Sequence, residues 1–152
     1  MPLALATSLP ALLPQAIAWA SAREAEILAS GIALTDAELD LARRVGVQAP
    51  ERIRLALVER VPMPDDPMLQ LAVETTELLG ANTLGLTLGY GIYLCQGARD
   101  ARLVSHECRH VQQYEAAGGI AAFLPLYLQQ IVRHGYLDAP YEVDARRHEI
   151  DA

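Results

Sequence analysis

Cysteine is scarce in this chain of 152 residues: Cys95 and Cys108 are its two. They make no metal-binding spacing and could form one disulfide at most, which excludes a disulfide-built scaffold and a cysteine-ligated zinc site. Two buried free thiols in a reducing compartment are expected, Cys108 as packing. Basic residues are also few, 12 against 19 acidic ones, for a net charge of −7 and a pI near 5.0. With no basic stripe, nucleic acid and anionic membrane are excluded as partners. Long apolar runs are missing too. Residues 1 to 22 carry no charge, but Pro2, Pro10 and Pro14 interrupt them, which argues against a spanning helix and stable membrane insertion. No Lys or Arg precedes Arg23, where a secretory signal wants a basic leader. A cytoplasmic protein is expected, although Ala18-Trp19-Ala20 resembles a small-x-small cleavage site, and an atypical signal in residues 1–20 would make the chain secreted or periplasmic. Repeats, low-complexity tracts and charge blocks are absent. A hydrophobic content of 52% supplies one core, so residues 1–152 read as a single domain with 1–13 flexible or partly processed.

What is present is His106-Glu107-Cys108-Arg109-His110. On an α-helix two residues four apart lie about 40° from each other on consecutive turns, so both imidazoles can reach one ion. Glu107, about 100° round from His106, cannot easily join them but can reach a water beside the ion, a general base's position. The alternative is a chance pattern on a solvated helix, and context decides against it. Residues 100 to 117 read as one helix, with Asp100 as N-cap and Gly118-Gly119 as its stop. Val104, Cys108 and Val111 share its apolar face, the histidines border that face, and Ser105, Arg109, Gln112 and Ala116 form the water-facing stripe.

Catalytic zinc usually keeps three protein ligands and an open position. The downstream candidates for the third are His134, Asp138, Glu142, Asp144, His148, Glu149 and Asp151; Glu115 is on the same helix but turned away. The metzincin pattern is excluded, because Gln113 and Ala116 stand where it wants glycine and histidine. Glu142 is the preferred choice. It lies in a segment where Pro140 marks a helix's first turn and Ala145, three positions on, leaves room for close approach to the metal helix.

These residues resemble the gluzincins, zinc peptidases with His-Glu-x-x-His on one helix and a glutamate ligand on a later one. The likeness covers roughly residues 103 to 146 and is strongest to compact bacterial forms in which Val111-Gln112-Gln113-Tyr114 follows the second histidine. It implies one zinc ion held by His106, His110 and Glu142, with Glu107 as base. Ala145 and Arg146 stand near where thermolysin has a serine and an aspartate, which leaves Asp144 as the residue that would orient a ligand. Tyr114, His134, Tyr136 and Tyr141 are candidates for the group that holds the transition state.

The remaining segments read as a helix from Pro14 to Ser30 ended by Gly31, a capped helix from Thr35 to Arg44 stopped by Gly46, and a strand over residues 52 to 61. A helix from Met68 to Leu79, a strand over residues 83 to 95 and an apolar helical run from Ile120 to Gly135 follow, with Pro125 expected to kink or restart that run. In the second strand Leu84, Leu86, Leu88, Tyr90, Ile92 and Leu94 take one face and Gly85, Thr87, Gly89, Gly91 and Tyr93 the other, a glycine-lined face suited to tight helix packing or to a substrate strand on a sheet edge. The order is α-α-β-α-β-α-α-α, a mainly helical α+β domain with a small sheet on the His-Glu-x-x-His helix, a minimal zincin-like fold. Three functions compete: a zinc metallopeptidase acting on a peptide or protein, an inactive zinc-binding partner module, and a metal-free domain with core histidines. Glu107 favours the first, since a structural site needs no base.

Overall fold

The computed structural model describes residues 3–151, with side chains for residues 8–151. Helix α1, Leu3–Ser30, begins well before Pro14, where the sequence placed its start. A proline inside a helix removes one backbone bond and crowds the preceding turn. Here Pro10 and Pro14 lie one turn apart on the exposed side, while Leu12, Ala16, Ala20 and Ile27 are buried. Gly31 ends the helix as expected, because a Cβ there would stand 2.5 Å from the Ile27 carbonyl oxygen. No described helix is long and apolar enough to cross a membrane.

Thr35-Asp36-Ala37-Glu38 forms the expected capping box. The Glu38 N–H donates to Thr35 Oγ1 at 3.2 Å and the Thr35 N–H donates to Glu38 Oε1 at 2.9 Å, starting α2, Asp36–Arg44. Strand β1, Ile32–Ala33, was not anticipated; it is too short to show a period and pairs antiparallel with β2, Arg54–Val58. Ile53 and Leu55 turn inward as the alternation predicts, but Leu57 is exposed. Helix α3, Pro67–Thr75, takes Asp66 as N-cap and ends four residues before Leu79, where the chain turns through Glu77 at φ 63°.

The expected single strand over 83 to 95 is instead a hairpin. Gly89, at φ 66°, and Tyr90 make a two-residue turn between β3, Gly85–Leu88, and β4, Gly91–Cys95. Because Leu88 pairs with Gly91, the alternation reverses across the turn: Gly85 and Thr87 share a face with Leu94 and Ile92, while Leu86 and Leu88 share the other with Tyr93 and Gly91. The sheet order is β1-β2-β4-β3, with β2 and β4 parallel. Ile92 and Leu94 pack with Leu41 and Ala42 of α2 and with Val104, Cys108 and Val111 of α4, Ala101–Ala117. Leu88 and Tyr93 pack with Ala20 and Ile27 of α1 and with Phe123 and Tyr127 of α5, Ile120–His134. The glycines serve that packing: a Cβ on Gly91 would meet Ile27 at 3.0 Å and one on Gly85 would meet Glu107 at 3.1 Å.

Helix α4 has the predicted caps, with Asp100 accepting from the Leu103 N–H at 2.8 Å and Gly118 left-handed at φ 105°. Pro125 neither ends nor restarts α5; its missing N–H frees the carbonyl of exposed Ala121, near the helix start, to water. Helix α6, Pro140–Arg147, packs on α4, and its Ala145 is fully buried. Among the described residues the result is one α+β domain of six α-helices and a four-stranded mixed sheet.

Phe123 joins three of these helices. Its ring is 1% exposed and lies 3.9 Å from that of Tyr114, 5.3 Å from Tyr127 and 4.8 Å from Tyr141, centre to centre. Phe123→Ala is expected to cost about 3–5 kcal/mol in urea unfolding, and a loss under about 1 kcal/mol would contradict this role.

Candidate metal centre

Helix α4 brings His106, Glu107 and His110 together from within one turn of chain. Their ligand atoms lie within 4.8 Å of one another, a group that could hold a metal ion. The two rings stand 5.0 Å apart, edge to face. Val104, Cys108 and Val111 are buried beneath them, as the helical wheel predicts, and both cysteines are free. Burial pushes the Cys108 thiol up to about 12, so it acts as a hydrophobe and not as a ligand. The wheel fails at Ser105, which is fully buried where a wet stripe was expected, because the chain end folds back over it and the Ile150 N–H donates to its hydroxyl at 2.8 Å. Arg109 is also half covered, in a 2.7 Å ion pair with Asp144.

Glu142 arrives from the first turn of α6. Its side chain is 2% exposed, with Oε2 3.1 Å from His110 Nε2 and Oε1 3.3 Å from His106 Nε2. Tyr127 donates its hydroxyl to Oε2 at 2.7 Å. Oε1 faces His106 closely enough for ionic attraction but outside hydrogen-bonding geometry, and has no hydrogen-bond partner. Burial opposes ionisation of this carboxyl, yet the imidazoles of His110 and nearby His106 and the Tyr127 hydroxyl outweigh it and hold the group well below its usual range. Burial likewise opposes protonation of the histidines, but the Glu142 carboxylate and nearby Glu107 raise His106 and bring His110 to about 9.

The other ring nitrogens are anchored outside the cluster. His106 Nδ1 lies 2.8 Å from Glu149 Oε2, and Arg102 holds that carboxylate's second oxygen at 2.7 Å. His110 Nδ1 lies 2.8 Å from Gln113 Oε1. The Gln113 amide donates to the Tyr141 carbonyl and to Asp144 Oδ2, both at 2.9 Å, so its oxygen must face the ring. Both histidines therefore carry a proton on Nδ1 and turn Nε2 towards Glu142. Ligand atoms about 2.0–2.2 Å from a tetrahedral ion stand roughly 3.3–3.6 Å apart, close to the 3.3 Å from Glu142 Oε1 to His106 Nε2 and the 3.1 Å from Oε2 to His110 Nε2. Two directed imidazoles and a carboxylate with an orphaned buried oxygen fit a divalent cation.

Glu107 is 5% exposed, keeps a carboxylate oxygen within 4.8 Å of both imidazoles, and accepts from Thr87 Oγ1 at 2.8 Å on its Oε1. It stands where a cavity of about 80 Å³ between α1, α3 and α5 meets an open groove of about 830 Å³. Tyr136 borders both spaces, and burial together with the Glu142 carboxylate raises its phenol far above the usual range.

Of the other sequence candidates, Asp144 orients His110 through Gln113, and Tyr114 lines the cavity while its hydroxyl donates to the Thr87 carbonyl at 3.1 Å. Tyr141 stacks on Phe123, with its backbone facing Gln113 and Gln130, and does not enter the centre. His134, Asp138 and Asp151 are exposed, and His148 binds the Asp144 carbonyl at 2.8 Å. Glu149, weighed as a ligand, instead supports His106 from behind. Tyr127, Thr87 and Gln113 were missed. Gln113 was open to discovery, since it follows His110 by three positions on the same helical face. Tyr127 lies within the apolar helical run from Ile120 to Gly135, but a buried tyrosine hydroxyl needs an acceptor.

The titrations have a stability consequence for protein kept in chelator. His110 is raised, so its contribution is complete below its ordinary 6.5 and is lost as pH climbs through about 9. Glu142 is depressed, so its contribution is present above its ordinary 4.5 and fades only in acid. Urea midpoints should fall between about pH 6.5 and 9 in wild type and much less in His110→Gln; a wild-type profile flat across that window would contradict the pairing.

No family model, no curated protein and no solved structure matches this chain, so the site's own atoms carry its chemistry.

Proposed function

We propose that this chain is a zinc-dependent hydrolase, a small metallopeptidase with a gluzincin-like ligand set of His106, His110 and Glu142 and with Glu107 as general base. The observation that carries the reading is the convergence of both Nε2 atoms on a buried carboxylate with one unpartnered oxygen, while a second carboxylate beside them faces open space. Bound zinc supplies Lewis acidity, polarising the scissile carbonyl and acidifying water at neutral pH.

The chain's own groups do the rest. Glu149 and Gln113 hold the imidazoles in one tautomer and orientation. Glu107, steadied by Thr87, takes a proton from the attacking water and returns it to the leaving amine. Tyr136, kept neutral by burial and the adjoining carboxylate, has a proton to donate to the oxygen that gains charge. The substrate lies along β3, an edge strand whose start, with Thr83 and Leu84, lines the groove beside Glu107.

Protein purified without added zinc should carry about one zinc per chain by elemental analysis, and His110→Ala or Glu142→Ala should lose it. Glu107→Gln should keep fold and metal while kcat on a peptide library falls about 10²- to 10⁴-fold, read by mass spectrometry. Full zinc occupancy in His110→Ala would sink the ligand set. Equal cleavage by wild type and Glu107→Gln would sink the base.

A further inference from the structure

The two spaces that meet at Glu107 differ in chemistry. Leu78, Leu79, Gly85, Glu107 and Tyr136 border both, so an occupant of one can continue into the other past the base. The cavity is walled by Trp19 of α1, Leu69 and Val73 of α3 and Leu124 and Leu128 of α5, and its ionisable carboxylates and imidazole are confined to the Glu107, His110 and Glu142 end. Glu142, 2% exposed, is among the residues that line it. A volume of about 80 Å³ has room for roughly five to eight water-sized groups, the bulk of a leucine or phenylalanine side chain.

The groove is acidic. Glu74, Glu77, Asp100 and Glu149 line it, and its one arginine, Arg102, is already bound to Glu149 at 2.7 Å. Glu74 and Glu77 are exposed at the end of α3, where the helix's free carbonyl groups add to the negative field. The chain's net charge of −7 has the same sign.

We propose that the substrate is a cationic peptide that sets one bulky apolar side chain into the cavity, beside the bond to be cut, and lays its basic residues along the groove. This deepens the hydrolase reading and rests on it. Away from its Glu107 end the cavity wall is apolar and desolvates a charged side chain without a partner, whereas the groove rewards positive charge and repels acidic peptide. The specificity is thus split between an apolar end and an electrostatic one.

Binding without turnover tests it, using zinc-loaded Glu107→Gln protein and isothermal titration calorimetry. Three probes are compared: Arg-Arg-Phe-Arg-Arg, the same peptide with Ala for Phe, and the same peptide with Glu for every Arg. The first should bind at least about tenfold more tightly than either other, with added salt weakening it. Val73→Phe, which fills the cavity, should abolish the advantage of Phe over Ala. Glu74→Gln with Glu77→Gln, both at exposed positions, should reduce the advantage of Arg over Glu even if Val73→Phe fails to fold. Equal binding of the Phe and Ala peptides, equal binding of the Arg and Glu peptides, or no binding by any of the three overturns the proposal. Failure of the hydrolase reading shows separately, as absent zinc or absent cleavage by wild type.

Discussion

The ionised carboxylate of Glu142, sealed in the interior, is the constraint from which the site follows. An unpaired charge in such a place costs more than a small domain can spare, so the fold must surround it with donors and positive charge. Two imidazoles from α4 and a hydroxyl from α5 meet that requirement, which ties three helices to one side chain. Ala145 lets α6 come close enough, and the Phe123 ring holds the Tyr127 ring beside the carboxylate. The demand spreads outward. Each imidazole needs its far nitrogen fixed, so Glu149 with Arg102 serves one and Gln113 with Asp144 and Arg109 serves the other.

Much of this was legible in the chain, for reasons that are local. Asp100 and Gly118 bound a helix whose period alone sets His106 over His110, and Pro140 with Ala145 marks a helix start that can approach closely. What stayed hidden depends on meetings between distant segments. Nothing near Tyr127 says that its hydroxyl reaches Glu142, and nothing near Ser105 says that the chain end will cover it. The hairpin was hidden differently: residues 83 to 95 alternate without interruption, and only Gly89-Tyr90 betrays the turn. Pro10 and Pro14 misled because a breaker's cost depends on whether the freed carbonyl can reach water, which sequence period does not reveal.

A pair of core histidines would require partners for its ring nitrogens, and these histidines have them. Such a pair does not account for the rest of the arrangement. It gives no reason for a second carboxylate, Glu107, between open groove and cavity, or for Gly85 opposite it, where any Cβ would press on the Glu107 carboxyl carbon at 3.1 Å. Nor does it account for Glu142 Oε1, a buried anionic oxygen without a hydrogen-bond donor beside two oriented nitrogens. Buried polar atoms left unsatisfied are uncommon, and a bound ion is one way to satisfy them.

The reversal of alternation at Gly89-Tyr90 ties the sheet to this chemistry. A continuous strand would place every leucine from 84 to 94 on one side and leave α4 facing glycine and threonine along its whole length. Folding the segment back puts Ile92 and Leu94 under α4 as a packed base while keeping Gly85 and Thr87 on that same face, at the edge, where Glu107 needs space and a hydroxyl. Leu86 and Leu88, on the opposite face, become cavity wall against α1 and α5. One two-residue turn therefore gives α4 an apolar seat, gives Glu107 its support, and lets β3 line the apolar cavity together with Glu107 and His110 of α4.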